Sequence, residues 1–183
     1  MTRCTLIAIV AILSMLPSAT IAGDEPDDTN AVQLKLKHAI LHAKINGHQA
    51  LNGKLAKVEA ICASNQCTLK DGTWTILIDD RLSIDLDKDE IIETALLDLE
   101  TVDEAAYKLG IHIDWVDFQA QLPLTDDHGN DHVGAVLSGR LVASDGETVN
   151  WKNLNPQMCW QLQQQTYVLP QLEAELSDNL GSH

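Results

Sequence analysis

KLAKVEAICASNQCTLKDGTWTILIDDRLSIDLD, residues 54–87, runs directly into KDEIIETALLDLETVDEAAYKLG, residues 88–110, and the change of rhythm between them sets the fold class. In the first stretch apolar side chains return at every second position: Ala56, Val58, Ala60 and Cys62, then Trp74, Ile76 and Ile78, then Leu82, Ile84 and Leu86. That is the period of a half-buried strand. Residues 67–70 add a short strand before the turn at Asp71-Gly72, and Asp79-Asp80 supplies a second turn, so a four-stranded antiparallel meander is expected. In the second stretch Ile91, Ala95, Leu99, Val102, Ala106 and Leu109 are spaced by threes and fours, the signature of an amphipathic helix. Asp87 and Glu90 form a capping box and Gly110 a stop. Glu93, Glu100, Asp103 and Glu104, on the other side, are expected to face solvent.

Upstream, Val32, Leu36, Ile40 and Ala43 predict a helix over 29–47, ended by Asn46-Gly47. Downstream, Ile111, Ile113 and Trp115 share one strand face while Val116, Phe118, Ala120 and Leu122 share the other, which requires a bulge near Trp115 or cover on both faces. Pro123 closes that strand, and residues 133–143 return as the next. Asp145-Gly146 turns into a third strand ending near Trp151. Asn155-Pro156 caps a helix running to about Thr166, and Pro170 opens a last one with Leu172 and Leu176. The expected fold is α+β, with antiparallel β-meanders and packed helices in the order α-ββββ-α-βββ-α-α. Helix followed by strands occurs twice, so two similar α-βββ halves are an alternative description, though the halves share no sequence.

Residues 1–22 read as a secretory signal peptide: Arg3, an apolar run from Leu6 to Leu16, Pro17, and small residues at Ser18, Ala19 and Ala22. The run is too short to span a bilayer, which needs about 20 apolar residues, so no stable membrane insertion is expected. Residues 23–29 form an acidic, flexible leader carrying Asp24, Glu25, Asp27 and Asp28, and residues 30–183 a single domain. The net charge of −15 becomes −16 when Arg3 is removed with the leader peptide. Such a surplus repels nucleic-acid phosphates and anionic lipid heads. A periplasmic or secreted location follows, and no Asn-x-Ser/Thr glycan acceptor is present.

An oxidising compartment lets Cys62 and Cys67 close as a disulfide across Ala63-Ser64-Asn65-Gln66. The spacing is wrong for a redox-active pair. Cys159, beside Trp160, reads as a small buried hydrophobe rather than a catalytic thiol.

His128 and His132, with Asp126, Asp127 and Asp131, could ligate a divalent ion, but Asp, Asn and Gly are also what a polar hairpin tip uses, and no metal is assigned. His38, His42 and His48 lack the intervening acid of a metalloprotease helix. Trp151, Trp160 and Tyr167, among Asn and Gln residues, could recognise a peptide or sugar, although packing is the preferred reading in so aromatic-poor a chain. No nucleophile elbow, phosphate loop or dinucleotide fingerprint occurs, and no cofactor is expected. The sequence therefore points to a non-enzymatic binding or accessory protein whose partner is another envelope or secreted protein. The alternative is a small extracytoplasmic hydrolase with dispersed acidic catalytic residues.

Overall fold

The computed structural model describes residues 28–45, 48–49, 51, 53–64, 67–125 and 128–181. The expected signal peptide and all but the end of the acidic leader lie outside the described residues, as do Asn46-Gly47 and Asn65-Gln66. The chain is α+β, built on a five-stranded sheet with helices packed on one face.

Helix α1 (Thr29–Leu41) buries Val32, Leu36 and Ile40. It stops before the expected end, because His42 already forms the C-cap and the backbone turns into a small ribbon of β1 (Lys44–Ile45) and β2 (His48–Gln49). Strands β3 (Lys54–Cys62) and β4 (Trp74–Arg81) pair antiparallel. Between them, residues 67–70 are loop rather than strand: the Thr68 hydroxyl accepts the N–H groups of Lys70 and Asp71 at 3.3 and 3.0 Å, a local bond that competes with sheet pairing. Cys62 and Cys67 sit at disulfide-bonding distance, with Cα atoms 5.8 Å apart.

Asp28 is tied to that loop. Its N–H donates to the Cys67 carbonyl at 3.2 Å and its carboxylate accepts the Leu69 N–H at 2.9 Å, so the side chain caps the loop instead of α1.

Two expectations around β4 fail. Asp79 and Asp80 are strand residues, not a turn, and Leu82, Ile84 and Leu86 form no strand. Leu82 still donates to the Gln121 carbonyl, but Ser83 then accepts from Asp85 and the Asp87–Glu90 capping box starts α2 (Lys88–Tyr107). Capping outcompetes the alternation.

Helix α2 carries the chain across the sheet to β5 (Ile113–Thr125), which therefore runs parallel to β4 where a meander would be antiparallel. The register slips where Trp74 and Thr75 meet Ile113 and Trp115, in keeping with the bulge that is one of two alternatives the sequence offers. A hairpin leads to β6 (Asp131–Val142).

The expected turn at Asp145-Gly146 is instead the end of a short helix, α3 (Ala143–Gly146), and the strand expected after it is turn and loop. Helix α4 (Pro156–Gln161) starts at the Asn155 cap but ends early, and β7 (Gln164–Val168) adds a fifth strand beside β6. A 3-10 turn (Pro170–Leu172) and α5 (Glu173–Gly181) complete the fold, and the sheet order is β3-β4-β5-β6-β7.

The core lies between α1, α2 and the inner sheet face, where Trp74, Ile76, Ile78, Val116 and Phe118 are sealed. Among the described residues no helix is long and apolar enough to cross a membrane. Phe118→Ala should cost about 3–5 kcal/mol of stability through the cavity it leaves, read as a lower urea midpoint with an unchanged m-value.

Candidate binding surface

Alternation in the strands sends a second set of side chains to the sheet face opposite the core. Cross-strand register places them in rows: Ile61, Thr75 and Trp115 in one, then Glu59, Leu77, Asp117 and Arg140, then Lys57, Asp79, Gln119, Ser138 and Tyr167. At the centre the Arg140 Nε and Nη2 donate to the two Asp117 oxygens at 2.5 and 2.7 Å. The same guanidinium lies 4.7 Å from the centroid of the Trp115 ring. Such a clamp holds both planes in place, and the buried indole Nε1–H has no hydrogen-bond partner among the described residues.

Beside the clamp is a cleft of about 320 Å3 lined by Leu77, Asp79, Asp117, Gln119, Arg140 and Gln165, among others. Gln165 has φ 51° and is the one described non-glycine residue in left-handed backbone. It sits in the irregularity where β7 spends four residues, from Gln164 to Tyr167, against the three from Ser138 to Arg140. Holding glutamine there costs about 1 kcal/mol or more.

The other side of the sheet holds acids that no sequence pattern revealed. Asp80, pointing inward from β4, and Asp98, on α2, are both fully buried, and the Asp98 carboxylate accepts the Gly53 N–H at 2.8 Å. A Cβ on Gly53 would overlap the Asp80 carboxyl, so only glycine fits. Burial first, then the charge of Asp98 and a hydrogen bond to it, push the Asp80 acid up to about 8. The two converge, but neither is open to a substrate.

Glu100 and Asp103 correct the expectation of a solvated helix face: α4 packs over that side of α2 and buries both. Burial raises each to about 7. Asp103 accepts the Gln163 amide at 2.8 Å and the Cys159 thiol at 3.6 Å. Cys159 is sealed beside it, and burial drives its thiol well above the ordinary range, the opposite of what a nucleophile needs.

Of the other sequence candidates, Trp160 is buried, Trp151 stacks on Tyr107 with centroids 6.3 Å apart, and Tyr167 is exposed on the open face. His38 and His42 stack at 4.0 Å on the exposed side of α1. The His48 side chain, like Asp126 and Asp127, lies outside the described residues. His128 and His132 are exposed at the β5–β6 hairpin, and the described residues contain no group of three or more His, Cys, Asp or Glu able to hold a metal. Comparisons of the chain with family models, with curated proteins and with solved structures found no match.

Asp80, Glu100 and Asp103 all titrate higher in the fold than the value near 4 of an unfolded chain. The folded state therefore holds extra protons between about pH 4 and pH 8, and the stability tied to them is complete below that window and lost as pH rises through it. Urea midpoints should fall from the acid to the alkaline end, and Asp80→Asn should flatten the slope. An unchanged slope would place the proton elsewhere.

Proposed function

We propose that this chain is an exported, non-enzymatic binding or accessory protein that meets another envelope or secreted protein on the open face of its sheet. The observation that carries the reading is the rigid Trp115–Arg140–Asp117 clamp beside a cleft bordered by strained Gln165. A half-buried tryptophan, an arginine and a set of amides match the composition of protein contact sites, whereas a purely structural sheet face has no need of a left-handed glutamine. The disulfide-distance pair Cys62–Cys67 and the leader-like first 22 residues support an extracytoplasmic setting. Against hydrolysis stands the enclosure of the converging acids Asp80 and Asp98.

Replacement of Gln119 by a photo-crosslinking amino acid in intact cells should trap one discrete envelope protein. The same probe at exposed Asp89 on α2 should not. Trp115→Ala should weaken the trapped complex by about 2 kcal/mol, close to thirtyfold in affinity, the scale of an interface anchor. Identical labelling from both positions would end this reading.

The mass of the chain recovered from the envelope fraction should begin at Gly23 and carry one oxidised Cys62–Cys67 pair. A retained Met1 with free thiols would contradict the export half of the proposal.

A further inference from the structure

The charge of this chain is unevenly placed. Between Thr29 and Val58 there is no Asp or Glu, although the whole chain has 27 of them, and the stretch carries Lys35, Lys37, Lys44, Lys54 and Lys57. Folding brings its two main described parts together, because α1 packs on β3. Lys35, Lys37, Lys44 and Lys54 are exposed and make no ion pair among the described residues, and only Lys57 is paired, with Glu59 at 2.6 Å.

An apolar feature stands in the middle of this basic field. Leu34 is 70% exposed, because Val32, Leu36 and Ile40 take the inward side of α1. It forms the ridge between two depressions. One, of about 290 Å3, lies toward β3 and is bordered by Asn30, Lys37 and Lys57. The other, of about 510 Å3, lies toward the end of α2 and is bordered by Lys35, His38 and Leu109. A third, of about 250 Å3, continues past Ala39 to Lys44, with Lys108 held there by Glu104.

We infer that the α1 face is a second docking surface, meeting the open sheet face at Lys57, which borders both, and that it takes an acidic polypeptide segment whose apolar side chains straddle Leu34. Charge complementarity selects this occupant: a protein of net charge −15 presents this lysine-rich face, so an anionic partner is repelled by the overall charge, drawn here and thereby oriented. A lipid surface fits less well. Only Leu34 and Leu41 project from α1, which is too little apolar surface to insert, and the remaining charge repels anionic head groups.

The test uses the full chain with its cysteine pair intact and a fluorescein-labelled peptide of alternating glutamate and leucine pairs, read by fluorescence anisotropy at low and high salt. Binding should be saturable and weakened by salt. The double variant K35E/K37E should lose about tenfold or more in affinity and Leu34→Ser severalfold, while Trp115→Ala should bind as the parent does. All four positions lie outside the sealed core, and melting curves establish that each variant is folded. Equal binding by K35E/K37E, or binding of a lysine-for-glutamate peptide just as tight, would overturn the inference. So would association with phosphatidylglycerol vesicles in the absence of peptide binding, or sedimentation showing that a second copy of the chain fills the face.

Discussion

Helix α2 is covered on more than one side, and the rest of the molecule is arranged around that constraint. It crosses between parallel strands β4 and β5, so it must lie against the sheet. Helices α1, α4 and α5 then close over its remaining sides. Covering an acid-rich helix this completely forces a choice between burying charge and keeping protons. Asp80, Glu100 and Asp103 keep protons to unusually high pH, and Asp98 and Asp103 also find donors in Gly53 and Gln163. Because the described helices all pack on one side, no described helix covers the opposite face of the sheet.

The periodic parts of this architecture were legible in the sequence. The spacing of Ile91, Ala95, Leu99 and Val102 defined α2, its capping box is present as read, and the conflict of faces around Trp115 located a real bulge. Where two signals competed, the sequence did not rank them. Leu82, Ile84 and Leu86 alternate like a strand, yet local capping takes the backbone. The helix expected to run to about Thr166 gives way to β7 at Gln164, although Thr166, Tyr167 and Val168 are strand formers by type. Parallel pairing of β4 with β5 is a fact about connection through space, which no single window contains.

The candidate surface was legible only in part. Tyr167 was noticed within its amide-rich segment, but Trp115, Asp117, Arg140 and Gln165 come from three strands and become neighbours only through register. Glu100 and Asp103 were misplaced for a related reason: helical spacing says which residues share a face, not whether another helix will later cover it. The 3.6-residue period locates one apolar stripe and is silent about a second, polar-lined contact such as that with Cys159 and Gln163.

Asp28 stitches the first turn of α1 to the loop that ends at Cys67. The N-terminal end of α1 is thus anchored to a segment bounded by the Cys62–Cys67 pair, whose cross-link needs an oxidant to form. If the chain is exported as proposed, its opening helix has a weaker mooring in a reducing cytoplasm than outside it, which favours a loosely folded, threadable polypeptide before translocation and a locked one afterwards.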